Sequence, residues 1–232
     1  MRRSRSTLGS TLSSVILCAL LVSAVACTDD RVTLRRGPLG PASYELRVHA
    51  QGQPREEAEE HRATLSIAPA DDGANFVLRT TEGEFLTAEL RFGTDGSAKI
   101  ARVRGGVTSG QELASLVGQL NPPLPSTPVR LGKRWSSAQR ITTKTLRALL
   151  QTTLRIVRFT RVASTDAAEL VGDVSGTLRV TESTRVLSGR LSGHTRIVWA
   201  VDAGRVVAAD TDLVWTLGDG NRVTLGTIVR SR

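Results

Sequence analysis

From Tyr44 to the C-terminus the chain alternates apolar and polar residues with a period of two, and this pattern narrows its possible folds more than any other feature. Tyr44, Leu46, Val48 and Ala50 alternate with Glu45, Arg47 and His49. Ala63, Leu65 and Ile67 alternate with Arg62, Thr64 and Ser66, and Leu86, Ala88, Leu90 and Phe92 with Thr87, Glu89 and Arg91. Successive side chains of a strand point to opposite faces, so each run reads as a strand with one buried and one wet face. Turn chemistry separates the runs: Asp71-Asp72-Gly73 precedes a strand around Phe76–Thr80, Glu82-Gly83 the next, and Thr94-Asp95-Gly96 a strand around Ala98–Arg104. Connections this short join antiparallel neighbours.

The second half repeats the style from Trp135 onward. Between Thr145 and Arg161, Leu146, Ala148, Leu150, Thr152, Leu154 and Ile156 form one face of a strand. A helix over Thr145–Gln151 competes, because Leu146, Leu149 and Leu150 also meet helical spacing, but the Thr-rich, β-branched surroundings favour the strand. Strands are expected around Glu169–Val171, Gly176–Glu182, Ser188–Ser192 and Thr195–Val201, with Gly189 and Gly105-Gly106 as turns or bulges. Asp202-Ala203-Gly204 then turns into Val206–Leu217, and Gly218-Asp219-Gly220-Asn221 into Val223–Val229. One short helix is expected where Leu113, Leu116, Val117 and Leu120 recur at helical spacing behind a Ser109/Glu112 capping box. Asn121–Pro128 (NPPLPSTP) suits neither a helix nor a central strand and reads as an extended crossover. The expectation is therefore an all-β antiparallel meander: one strongly curved sheet or open barrel, or two related halves, with one short helix. A single domain would run over 44–232, its halves 44–120 and 136–232 joined by the Pro-rich crossover 121–135.

Ahead of the domain, residues 1–26 carry a basic start (Arg2, Arg3, Arg5), an apolar run from Val15 to Ala26 and small residues before Cys27, the layout of a secretory signal peptide. The apolar run falls short of the roughly 20 residues that span a bilayer. Ala24-Val25-Ala26-Cys27 resembles a bacterial lipobox, with Ala24 where Leu is most common, whereas Cys18 is preceded by the branched Leu17. The resemblance implies a lipoprotein diacylated on the Cys27 sulfur, which becomes the new N-terminus. Ala24-Val25-Ala26 also fits a plain A-x-A cleavage site, which would release a soluble, secreted protein with a free Cys27. Removing residues 1–26 and their three arginines leaves 206 residues and lowers the net charge from +9 to +6. Residues 27–43 then read as a lipidated N-terminus and flexible tether. The body, with Val129-x-Leu131-Gly132-x-x-Trp135 after its Pro-rich segment, resembles uncharacterised β-rich bacterial envelope lipoproteins. More distantly it is similar to the curved-sheet carriers of lipoproteins and lipids in the periplasm. That likeness implies a place in the cell envelope, on the periplasmic side of the inner or outer membrane, and brings no catalytic residues with it.

Motifs for chemistry are sparse. Two Cys and three His are too few for a zinc cluster or a disulfide framework. His49, His61 and His194 stand apart without ligand spacing and read as solvated. Asp210 and Asp212 share a strand face near Asp202, which suggests a weak Ca²⁺ site or a carboxylate pair; the plainer reading, which we prefer, sets them opposite Arg196 or Arg205. No G-x-S-x-G, S-x-x-K, P-loop or G-x-G-x-x-G motif occurs. The expectation is a non-enzymatic protein with no cofactor, no metal and no catalytic residue; a hydrolase would need a histidine and a nucleophile gathered by the fold. Trp199 and Trp215 share faces with apolar neighbours and read as core.

A net charge of +9 ordinarily raises nucleic acid as a partner. Here three units belong to the leader, and the remaining arginines are spread over nearly every strand. They read as dispersed rather than gathered into a stripe, so no nucleic acid is expected. The expected partners are the membrane, through the anchor, and lipid or an anionic envelope polymer. Two functions follow: a binding module for an apolar or amphipathic ligand, or a structural lipoprotein that uses its arginines on envelope polymers.

Overall fold

A computed structural model describes residues 31–37, 41–51, 59–70, 73–80, 85–92, 98–105, 120–142, 146–182, 185–218, 220 and 222–232. Thirteen strands lie among these residues. β1 (Arg31–Val32) and β7 (Val129–Arg130) form a small ribbon of their own. The first half of the main sheet comprises β2 (Ala42–Gln51), β3 (Glu59–Ala70), β4 (Gly73–Thr80), β5 (Phe85–Phe92) and β6 (Ala98–Gly105). The second comprises β8 (Arg134–Thr142), β9 (Leu146–Val162), β10 (Thr165–Glu182), β11 (Arg185–Ala200), β12 (Arg205–Leu217) and β13 (Arg222–Ser231).

Each strand of the main sheet pairs antiparallel with its chain neighbour from β2 to β6 and from β8 to β13, and β13 pairs antiparallel with β2. The expected antiparallel meander is thus present as a single curved sheet. Its two ends, β6 and β8, meet in a parallel seam of only two residue pairs, Ala98↔Ile141 and Lys99↔Thr142, which completes the ring of pairing. The expected helix, with Ser109, Glu112, Leu113, Leu116 and Val117, lies outside the described residues. Only Leu120 of that segment is described, and its backbone is helical.

The alternation sorts side chains as expected. In β9, Ala148, Leu150, Thr152, Leu154 and Ile156 are buried while Arg147, Leu149, Gln151 and Arg155 are exposed, so strand prevails over helix there. The inward set packs into one apolar cluster that includes Tyr44, Leu46, Leu65, Phe76, Leu154, Leu170, Ile197, Trp199, Trp215 and Val229. Trp199 and Trp215 are therefore core. Four buried polar atoms in this interior, Gln139 Nε2, Trp199 Nε1, Trp215 Nε1 and Thr227 Oγ1, have no hydrogen-bond partner.

Two expectations need correction. The strands expected around 169–171 and 176–182 are one strand, β10, and those around 188–192 and 195–201 are one strand, β11. The two pair without a break from Ala167↔Ala200 to Glu182↔Arg185. Glycines that read as breakers sit mid-strand because the neighbouring strand leaves no room for a side chain. A Cβ on Gly193 would collide with the Asp212 carbonyl oxygen, and one on Gly172 with that of Thr153.

The second correction concerns the tether. Of its described residues, Ala42 and Ser43 already belong to β2, and Arg31–Gly37 is docked: Arg31 and Val32 pair with Arg130 and Val129, Leu34 is buried in the core, and Gly37 N donates to Gly204 O at 3.0 Å. Arg36 Nη2 donates to the Pro122 carbonyl at 2.8 Å, and Trp135 Nε1 to that of Pro123 at 2.9 Å, so the Pro-rich crossover is itself anchored. Gly and Pro in this stretch suit a docked irregular segment as well as a tether, and composition alone does not separate the two. The chain therefore enters at the end of the sheet that holds the β9–β10 and β11–β12 turns, called below the near end.

Candidate functional site

Among the described residues, the outer wall of β8–β12 is where charged side chains collect. Near-end acids come from β12 and from the first half of β10, whose outward positions carry Asp166 and Asp173. Between them, Glu169 lies beside a register shift at Glu169/Leu170. Its side chain is only 5% exposed, yet it receives Arg158 Nε from β9 and, at 2.7 Å, Arg196 Nε from β11. One buried carboxylate thus ties three strands together. Arg161 Nε meets Asp166 Oδ1 at 3.1 Å on the surface.

One turn of the pleat further on, Asp173, His194 and Asp212 are successive cross-strand partners on β10, β11 and β12. His194 Nδ1 hydrogen-bonds Asp173 Oδ1 at 2.7 Å, and both side chains are exposed. These residues, with Arg134, Arg155, Arg196 and Asp210, line a groove of about 410 Å³. Asp210 stands directly opposite Arg196, the arrangement preferred from sequence, and Asp202 is exposed in the β11–β12 turn. His49 is exposed on β2 opposite Gly226. Among the described residues no hydroxyl hydrogen-bonds His194, and no group of three or more His, Cys, Asp and Glu is placed to hold a metal ion. Cys27 and residues 1–26, read from sequence as a signal peptide, lie outside the described residues.

The far end, with the β8–β9, β10–β11 and β12–β13 turns, differs in kind. A groove of about 830 Å³ is lined by Arg140 of β8, Arg147 of β9, Arg179 of β10 and Arg190 of β11, together with Leu149, Thr177, Ser188 and Thr216. Register explains the convergence. Arg140, Leu149, Thr177, Arg190 and Thr216 are cross-strand partners in one row, and Arg147 and Arg179 face each other in the next. All four guanidinium side chains are exposed, Leu149 is 48% exposed, and no carboxylate is among the described residues of the lining. The expectation of evenly dispersed arginine is corrected here. Each arginine was visible on the wet phase of its own strand, but the register that sets four of them side by side was not.

Arginines along the wall also bear on membranes. An arginine facing lipid costs roughly 2–4 kcal/mol at the bilayer midplane and less toward its surfaces, and this wall carries exposed Arg147, Arg179 and Arg190 toward its far end and Arg155 and Arg196 toward its near end. Among the described residues of β8–β12 the inward face is largely apolar and the outward face carries charge, the reverse of a lipid-facing barrel wall. Among the described residues no helix is long and apolar enough to cross a membrane. Comparisons with family models, with curated proteins and with solved structures find no match for this chain.

Proposed function

We propose that the protein is a non-enzymatic envelope lipoprotein, anchored through Cys27, that works as a binding module for an amphipathic or anionic envelope component by means of its outer wall. The observation that carries this reading is the division of the sheet. Among the described residues the buried apolar side chains pack into one cluster, while the outer wall presents an arginine-lined groove. A guanidinium offers five donors in a fixed fork suited to carboxylate and phosphate, so an arginine wall favours anionic partners over neutral ones.

The docked N-terminal segment refines the anchor. Arg31 is already paired with Arg130, so an acylated Cys27 and the fold are separated by four Cα–Cα steps, about 14 Å at full extension. Such a link would hold the near end at the membrane. The far groove lies ten residues along β11 from the β11–β12 turn, roughly 33 Å.

The test is retention of the mature chain, with Cys27 replaced by Ser, on envelope fractions. Binding to anionic fractions that weakens steeply between low and moderate salt is expected, and in cells Cys27→Ala should leave an unprocessed precursor. Binding indifferent to ionic strength would count against the outer wall, and normal processing of Cys27→Ala against the lipid anchor.

A further inference from the structure

We propose that the far-end groove is a site for the phosphate-bearing headgroup of an amphiphile, with Arg147 and Arg179 as its phosphate clamp and Leu149 as its apolar contact. The inference rests on the binding-module reading above and names the ligand class. Arg147 and Arg179 are direct cross-strand partners. Residues so placed stand about 5 Å apart at their Cβ atoms, and like charges there repel. Two other cross-strand arginine pairs on the main sheet have acids at hand: in Arg47/Arg62, Arg47 meets Glu45 at 3.6 Å, and Arg134/Arg155 share their groove with Asp173, Asp210 and Asp212. Arg147 and Arg179 have no carboxylate among the described lining of their groove, so an anion from outside supplies the complement.

Two guanidinium forks at this spacing match the several acceptor oxygens of a phosphate better than the two of a single carboxylate. Arg140 and Arg190 stand three strands apart in the adjacent row, roughly 14 Å, too far to share that phosphate and placed to flank it. Between them the row holds Leu149 and Thr177. An exposed leucine with Arg140, Arg147 and Arg179 on its own and both neighbouring strands is poorly used by a free inorganic anion and well used by a phosphate that carries an apolar chain.

The experiment is co-sedimentation of the mature Cys27→Ser chain with neutral phosphatidylcholine vesicles to which either phosphatidate or oleate is added at matched surface charge. Arg147→Gln/Arg179→Gln is compared with Arg134→Gln/Arg155→Gln, which removes the same charge from the near end. Strong binding to phosphatidate vesicles is expected, about tenfold weaker binding to oleate vesicles, and about a tenfold loss confined to the Arg147/Arg179 variant. Equal binding to the two anionic vesicles, or equal loss in both variants, would overturn the phosphate clamp while leaving general anionic binding in place. Complete displacement by millimolar inorganic phosphate would assign the site to the free anion instead. Binding to neither vesicle, with salt-sensitive retention on envelope polymer intact, would overturn the amphiphile and keep the binding-module reading. Loss of both would remove that reading as well.

Discussion

The two ends of the β8–β12 outer wall carry the same dominant residue and use it differently. At the near end, arginines meet acids: Arg158 and Arg196 close on Glu169, Arg161 on Asp166, and Asp210 stands opposite Arg196. At the far end Arg140, Arg147, Arg179 and Arg190 line a groove whose described residues include no acid. The cause lies in β10. Its outward positions run from Asp166 and Asp173 through Ser175 and Thr177 to Arg179 and Thr181, so acids at outward positions stop at Asp173. Charge that is neutralised locally supports the fold, whereas charge left open by the chain's own residues is available to a ligand.

The largest test of that contrast is the Glu169 tie. Changing both Arg158 and Arg196 to Met leaves a buried carboxylate without its partners, and we expect a loss of about 3–5 kcal/mol in urea unfolding. Glu169→Leu should cost clearly less, since it removes the buried charge and leaves two arginines that are 63% and 58% exposed to water. A double variant as stable as the parent would mean that the near-end arginines carry no structural role and that the two ends do not differ as argued.

Much of this wall was legible in the sequence. Alternation placed the strands, and it separated exposed Leu149 from buried Ala148 and Leu150 where helical spacing competed. Three features were not legible. Gly189 read as a turn or bulge, and Gly172 and Gly193 fell between expected strands, because the close approach that requires glycine there comes from neighbouring strands. The Arg31–Gly37 segment lacks periodicity because its partners are single contacts with Arg130, Val129 and Gly204 rather than a sheet face. The far groove depends on cross-strand register between Arg140, Arg147, Arg179 and Arg190, positions up to 50 residues apart, and period-two patterning carries no information about register between faces that are both wet.

A smaller effect, confined to alkaline pH, is expected from Tyr44 at the near end. It is the chain's only tyrosine, and its hydroxyl donates to the Val206 carbonyl at 3.1 Å inside the core. Burial pushes its pKa above the ordinary 10.0, against a smaller opposing pull from Arg205. The unfolded chain therefore loses this proton first as pH rises. The stabilisation is full below pH 10.0 and is lost as pH climbs through the folded-state value. Urea midpoints measured across this range should fall with pH in the parent and much less in Tyr44→Phe. Because the far end shares nothing with Tyr44, Arg147→Gln/Arg179→Gln should show the parental slope; a changed slope would mean that the two ends are coupled.

The smallest expected effect compares one arrangement at both ends. Arg147/Arg179 and Arg134/Arg155 are each a pair of arginines directly opposite one another on adjacent strands. Like charges so placed destabilise by roughly 0.2–1 kcal/mol. At the far end nothing described offsets that repulsion, so Arg147→Gln/Arg179→Gln should stabilise the protein by about 0.5 kcal/mol at low ionic strength. The gain should shrink as salt brings the screening length below about 10 Å. At the near end Arg134 and Arg155 share a groove with Asp173, Asp210 and Asp212, and the equivalent double substitution should give no gain or a small loss. Opposite signs from identical substitutions would locate the difference in the acids supplied by β10 and β12. Equal signs would show that the wall responds only to total charge, in which case the far-end arginines hold no special place.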